Sequence, residues 1–233
     1  MLARYAVHSK LADEVWITPC GARPDKKSLK TPGLHRLIMC HLAVDTTFGS
    51  RFGVKVCDEE MKEPRNIPTL ILMRRLKAKH PNCDFSFVVG SDLIPTLHEW
   101  DAPGCEGRWE EIPNAGEIFM RENHFLVIDR PGEHEEADGP LNPNFELIAP
   151  ALEARGSRLT ETLLSSSEVR HRMRGADDIV RFGLRAGAEK PTSTKAPTSS
   201  SWYDEVEGLV PPSVLGHIVR YGLYAREDPM QSD

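Results

Sequence analysis

The stretch FSFVVGSD, residues 85–92, decides the fold class of this chain. Its first five residues are mostly aromatic or β-branched, which is typical of a short buried strand, and the strand runs directly into Gly90. The residues before it, 69–79, are strong helix formers and stop at His80-Pro81. A helix, a strand and a glycine in this order are typical of a parallel α/β sheet.

The same alternation of helices and strands extends along the chain on both sides. Apolar spacing predicts further helices in the first dozen residues, over 34–48 and from Pro211 onward, and strands at 14–19, 52–56 and 125–128. Strands separated by helices imply right-handed crossovers and a mostly parallel sheet with helices on both faces. Because such sheets bind ligands beyond the carboxyl ends of their strands, the residues after each strand are the site candidates.

The length of 233 residues and the hydrophobic content of 39% suit one large domain. Two stretches rich in Pro, Gly and acidic residues, 101–107 and 132–144, predict loops. The Ser, Thr and Pro content of residues 186–201 predicts a mobile insertion with little core. We therefore predict a single domain over 1–233 that carries this insertion.

Charge and cysteine usage exclude several classes of protein. Lys and Arg number 29 against 35 Asp and Glu, which argues against a sequence-independent nucleic-acid binder. Five cysteines without a Cys-x-x-Cys pair indicate neither a disulfide framework nor a thiolate zinc site. No signal peptide or apolar run of ~18 residues is visible. We expect no nucleic-acid or membrane partner and a cytoplasmic location, with the nucleus as an alternative; oligomerisation stays open.

Three sets of polar or aromatic residues follow the predicted strands. Lys26-Lys27 could meet a phosphate as point charges, although a solvated loop is the alternative. Gly90 and Asp92 suit close backbone approach and hydrogen bonds to a ribose, or else a helix N-cap. Trp100 could stack on a planar ring, although a lone tryptophan is more often part of a core.

The run Ser165-Ser166-Ser167-Glu168-Val169-Arg170 precedes a predicted helix. Hydroxyl groups, free amides at a helix N-terminus and an arginine one turn in together form a phosphate site, while a serine N-cap with an exposed arginine is the alternative. Among the nine histidines no Ser-His-Asp or metal-ligand constellation stands out, so we assign no metal ligand.

Taken in order, these motifs resemble the nicotinamide/nicotinate mononucleotide adenylyltransferase family. They are VWITPCG at 15–21 with Lys26-Lys27, HRLIMCHLA at 35–43, VGSD at 89–92 with Trp100, SSSEVR at 165–170, and LVPPSV at 209–214 leading to GLY at 222–224. The resemblance implies a Rossmann-like nucleotidyltransferase fold. It also implies an enzyme of NAD biosynthesis that transfers AMP from ATP to a pyridine mononucleotide, with Mg²⁺, so that ATP and the mononucleotide are its partners.

The resemblance also implies a role for each site residue. ATP would contact four residues, namely Gly90, Ser166, Ser167 and Arg170. The mononucleotide would contact Lys27, Thr69, Asp92 and Trp100, with the indole stacked on the pyridine ring. Arg170 and Lys27 are the implied catalytic residues, because each would stabilise phosphate charge.

One departure from the family concerns the beginning of the chain. The family begins with a β-strand and a Gly-rich, His-containing loop, whereas this sequence starts about where the following helix starts. We therefore expect a sheet that lacks its first strand, so that the neighbouring strands lose hydrogen-bond partners. From this departure alone we expect the 233-residue chain to show little or no NAD synthesis. Two hypotheses follow: an adenylyltransferase that uses NMN or NaMN and whose sequence is an incomplete copy or a shortened isoform, or a catalytically inactive nucleotide-binding or interaction protein.

Overall fold

The computed structural model describes residues 2–21, 31–49, 52–63, 65–128, 143–156 and 208–224, together with Val169 and Val206. The chain divides into two compact units: unit 1 comprises residues 1–27 and 53–160, and unit 2 comprises 28–52 and 161–233. The single domain over 1–233 stays a prediction. The predicted insertion at 186–201 lies outside the described residues.

Helices and strands alternate along the described chain as the sequence predicts. The elements are α1 (Leu2–His8), β1 (Val15–Ile17), α2 (Gly33–Thr47), β2 (Val54–Val56), a 3₁₀ helix (Glu59–Lys62), α3 (Thr69–Lys79), β3 (Ser86–Gly90), a second 3₁₀ helix (Ser91–Glu99), α4 (Ala115–Glu122), β4 (His124–Ile128), β5 (Phe145–Leu147), α5 (Ile148–Glu153) and α6 (Pro212–Arg220). Helices α2 and α6 belong to unit 2, and the other elements belong to unit 1. Among the residues that the structure describes, no helix is both long enough and apolar enough to cross a membrane.

Every described strand pair in unit 1 is parallel. β1 pairs with β2 over Val15–Ile17, β3 pairs with β4 over Ser86–Gly90, and β4 pairs with β5. Within the described ranges these strands form two sheets, a two-stranded sheet β1-β2 and a three-stranded sheet β3-β4-β5. The prediction of a parallel α/β fold is confirmed.

The core of unit 1 lies where β4 meets helices α3 and α4. Phe125 and Val127 of β4 and Phe119 of α4 are almost completely buried. The Phe125 ring stacks on Phe145 at a centroid distance of 4.5 Å and meets Phe119 edge-on at 5.0 Å. Helix α3 adds five buried apolar side chains, Leu70, Ile71, Leu72, Met73 and Leu76. The consecutive burial of β4 residues is expected for a parallel strand covered on both faces.

The sequence pattern does not predict some of the short elements. Helix α4 and strand β5 were not predicted, because eight residues and three residues carry too little periodicity to identify an element. The predicted loop 101–107 is part of a hairpin, since it pairs with residues that follow it. Of the other predicted loop, 132–144, only its last two residues are described.

A pair of histidines joins α2 and α6, the helices of unit 2 whose bounds are described. Nδ1 of His35 in α2 lies 3.0 Å from Nε2 of His217 in α6, and the Tyr221 ring packs against both imidazoles at 4.9 and 4.6 Å. Burial lowers the pKa of His217 below its usual range, and the neighbouring His35 and Arg220 lower it further. One proton fits between the two imidazole nitrogens, so protonation of both rings would oppose this contact.

This pair predicts that the stability of the chain depends on pH. Because the pKa of His217 is lower in the folded chain than the ordinary value of about 6.5, the unfolded chain binds more protons as the pH falls through that value. The free energy of unfolding should therefore fall on acidification from pH 7.5 to pH 5.5. Urea unfolding of the parent and of His217→Gln measures this, and the variant should lose less stability. The control is His41→Gln, an exposed position on α2 that should keep the parent's slope; equal slopes in all three proteins would contradict the prediction.

Candidate active site

The candidate site begins at the carboxyl end of β3. Gly90 is the last residue of the strand and pairs with Ile128 of β4. The chain then turns into the 3₁₀ helix Ser91–Glu99, with Asp92 in its first turn, and leaves that helix at Trp100. Gly90, Asp92 and Trp100 are all partly exposed. One segment thus carries a glycine, a carboxylate and an indole at the sheet edge where parallel α/β folds bind ligands.

Trp100 lies between the core and the surface. Its ring is nearly parallel to that of Phe119, with an interplanar angle of 11° at 5.9 Å, and it meets the Phe87 ring edge-on at 6.2 Å. The structure thus gives Trp100 a core contact and leaves its side chain partly exposed. Its stacking on a planar ring stays a prediction.

The loop after β1 packs on the residues that lead into α3. The backbone amide of Gly21 donates a 2.9 Å hydrogen bond to Oε2 of Glu60, whose side chain is buried. A Cβ at Gly21 would lie only 3.1 Å from Cα of Asn66, so a side chain here would press on the Asn66 backbone. Glu60 anchors this loop, although no motif of the sequence singles it out as a site residue. The acidic run that follows β2 was the signal that could have found it.

Thr69 lies at the start of α3. It is the first residue of the helix, after Pro68, and is partly exposed. A helix that precedes a parallel strand runs back along the sheet, so its first residue lies toward the end at which the following strand finishes. By topology, Thr69 is therefore on the side of unit 1 where Gly90 ends β3.

Glu63 forms a charge cluster with Arg75 of α3 and with Arg108. Its Oε1 accepts a 2.8 Å hydrogen bond from Nη1 of Arg75, and its Oε2 accepts one from Arg108. The hydrogen bond from Arg75 and the charge of Arg108 hold the pKa of Glu63 below its usual range, so the carboxylate is ionised at neutral pH. No group of three or more His, Cys, Asp or Glu side chains is arranged to hold a metal ion within the described ranges.

Known proteins are similar to this chain in sequence and in fold. No protein-family model matches it. It is 29% identical over 212 residues to a probable nicotinate-nucleotide adenylyltransferase of Tropheryma whipplei, a match that covers 91% of this chain and 84% of that protein. A probable nicotinate-nucleotide adenylyltransferase of Anaeromyxobacter dehalogenans is 27% identical over 227 residues, covering 96% of this chain and 87% of that protein. Over most of its length the chain is therefore similar to proteins named as probable nicotinate-nucleotide adenylyltransferases.

Solved structures agree with this relationship at the level of the fold. The Plasmodium falciparum nicotinic acid mononucleotide adenylyltransferase complexed with NaAD superposes with a TM-score of 0.57 and 20% identity, covering 95% of this chain and 90% of that one. The same enzyme complexed with APC gives a TM-score of 0.54 over the same shares. The family resemblance carried by the sequence motifs is confirmed. So are the Rossmann-like nucleotidyltransferase fold and, by family, the nucleotidyltransferase class.

The structure places only part of the adenylyltransferase site that the sequence predicts. Gly90, Asp92 and Trp100 lie together at the end of β3, and Thr69 begins α3. The remaining predicted site residues lie outside the described residues: Lys27, Ser166, Ser167 and Arg170. The roles of all eight residues stay predictions.

Proposed function

We propose that this chain transfers AMP from ATP to nicotinate mononucleotide, forming deamido-NAD and pyrophosphate. The observation that carries the proposal is the similarity to nicotinate-nucleotide adenylyltransferases over 91% of the chain. The names of these relatives favour the acid mononucleotide over the amide NMN. Soluble ATP and NaMN would be its partners.

The reaction is a phosphoryl-type displacement. A phosphate oxygen of the mononucleotide forms a bond to the α-phosphorus of ATP while the bond between that phosphorus and the bridging oxygen breaks, and pyrophosphate leaves with the electron pair. No protein nucleophile is needed, so the protein acts by positioning the two phosphates in line and by stabilising the charge on the leaving group.

The residues at the end of β3 fit the positioning part of this task. At Gly90 the backbone can approach a nucleotide closely because no side chain intervenes. The Asp92 carboxylate can accept hydrogen bonds from ribose hydroxyls, and the exposed part of Trp100 offers a surface for the pyridine ring. Thr69 and Lys27 would complete the mononucleotide site at its ribose and phosphate.

The SSSEVR run would serve the leaving group. Hydroxyls of Ser166 and Ser167 can donate hydrogen bonds to ATP phosphates, and the planar fork of Arg170 can contact two phosphate oxygens at once. Mg²⁺ supplies charge neutralisation when it enters bound to ATP. Magnesium in proteins is commonly held by substrate phosphates together with one or two carboxylates.

An assay of the purified 233-residue chain with MgATP and either NaMN or NMN tests the proposal. We expect deamido-NAD from NaMN, detected by chromatography together with stoichiometric pyrophosphate, and slower formation of NAD from NMN. Faster use of NMN would overturn the substrate assignment. Binding of ATP or NaMN in calorimetry without any product would instead support an inactive nucleotide-binding protein.

Trp100 gives a sharper test of the mononucleotide site. Trp100→Ala should raise the KM for NaMN much more than the KM for ATP, since loss of ring stacking costs on the order of 1 to 3 kcal/mol. Steady-state kinetics with each substrate varied in turn measures the effect. His98→Ala, an exposed position on the same 3₁₀ helix, is the control and should keep both constants. Equal increases in both KM values would mean that Trp100 acts only as a core residue.

A further inference from the structure

Trp100 leads directly into a short hairpin that we call the 102–112 hairpin. Antiparallel bridges join Ala102 to Ile112 and Cys105 to Trp109. The backbone amides of Cys105 and Ile112 donate hydrogen bonds of 2.9 and 3.0 Å across it. Gly107 in the turn has φ of +72°, a left-handed conformation that glycine adopts without strain. The hairpin is thus an ordered segment rather than a loose loop.

A cluster of four side chains fastens the tip of this hairpin to the rest of unit 1. The guanidinium of Arg75 in α3 lies over the Trp109 ring, 5.3 Å from its centroid. Glu63 accepts hydrogen bonds from Arg75 through Oε1 and from Arg108 through Oε2. One carboxylate therefore links α3 to the hairpin, and we call Glu63, Arg75, Arg108 and Trp109 the Glu63 clamp.

The other end of the hairpin enters the core next to Trp100. Ala102 is only 1% exposed, and the Trp100 ring lies against Phe119. The Trp109 indole Nε1 donates a 2.9 Å hydrogen bond to the carbonyl of Pro103, which couples the clamped tip to the base. The two antiparallel bridges connect the tip, which the clamp holds, to the base of the hairpin at Ala102. A shift of the tip would therefore also shift Trp100, which lies just before that base.

We propose that the Glu63 clamp is a positioning device for Trp100 that sets the affinity for the pyridine mononucleotide. The inference rests on the proposed function, because it takes Trp100 as the surface on which the pyridine ring stacks. Arg75 and Arg108 are partly exposed, at 27% and 42% of their side chains, and pairs of this kind add little to global stability. The main effect of these ion pairs is therefore to fix the position of the hairpin rather than to raise the free energy of unfolding.

Arg75→Ala removes both the contact with Trp109 and one hydrogen bond to Glu63. We expect the KM for NaMN to rise about threefold to tenfold, because a cation–π contact and an ion pair are lost. The kcat and the KM for ATP should each change less than about twofold. Arg108→Ala removes the hairpin's own link to Glu63 and should act in the same direction. It provides a second variant in case Arg75→Ala folds poorly.

Arg74→Ala is the matched control. Arg74 is the neighbouring residue on α3, and its guanidinium donates two hydrogen bonds, of 3.0 and 2.8 Å, to Glu122 of α4. Its loss removes an ion pair of similar size and should leave all three kinetic constants at the parent values. Hydrogen exchange of the Cys105, Trp109 and Ile112 amides should accelerate in Arg75→Ala and not in Arg74→Ala.

The outcomes separate this inference from the proposed function. A parent chain that neither binds NaMN nor turns it over would overturn both. An active parent whose clamp variants keep the parent KM for NaMN would overturn the inference alone, even if hairpin exchange accelerates. Equal increases in the KM for ATP and for NaMN would also overturn it. A selective increase for NaMN together with faster hairpin exchange supports it.

Discussion

Replacing Gly116 with alanine is expected to lower the free energy of unfolding by about 3 kcal/mol. Gly116 lies in α4 where that helix crosses the 3₁₀ helix Ser91–Glu99. A Cβ at this position would lie 2.2 Å from the carbonyl oxygen of Leu97 and 2.6 Å from that of His98. Both neighbours are backbone atoms, so neither can move aside by a change of rotamer. The two helices would have to separate.

A second helical glycine provides the matched control. Gly216 lies in α6, and a Cβ there would have nothing within 4 Å. Gly216→Ala should raise the free energy of unfolding by up to about 1 kcal/mol, because alanine is the better helix former. Urea unfolding followed by circular dichroism measures both variants. Loss of less than about 1 kcal/mol in Gly116→Ala would contradict the close approach of the two helices.

Replacing Arg170 with alanine is expected to reduce turnover by on the order of 10² to 10³, in line with the removal of one preorganised transition-state donor. Under the proposed function, charge develops on pyrophosphate as it leaves, and the guanidinium fork of Arg170 would contact two of its oxygens. Arg170→Lys should also lose activity, because an ammonium group cannot reproduce that fork. Steady-state kinetics with MgATP and NaMN measures kcat for each variant.

Arg172→Ala, two residues beyond the SSSEVR run, is the control for loss of an arginine in the same region and should keep the parent turnover. Thermal melting followed by circular dichroism should show the same transition for the parent and all three variants. If Arg170→Ala retains near-parent turnover, or loses it only because the protein unfolds, then Arg170 is a surface or structural arginine rather than a ligand of the phosphates.

Helix α3 and strand β3 show how far local sequence predicts this fold. The predicted helix over 69–79 has the observed bounds of α3, since Pro68 precedes it and His80-Pro81 ends it. The predicted strand at 85–89 differs from β3 by one residue at each end. Both elements carry their own start and stop signals. Helix α4 and strand β5 lack such signals and depend on packing against the 3₁₀ helix and on pairing with β4.

The candidate site also combines features that the local sequence predicts with features that depend on tertiary contacts. The sequence by itself determined the parallel α/β class, the family resemblance, and the place of Gly90, Asp92 and Trp100 after a strand, because each depends on residues that are neighbours along the chain. Only the tertiary structure decided that the strands form two sheets, that Glu60 anchors the loop after β1, and that Glu63 joins α3 to the 102–112 hairpin. Those contacts join residues 12 to 45 positions apart, and no local pattern of charge or hydrophobicity encodes which distant partner a carboxylate or a strand edge will meet.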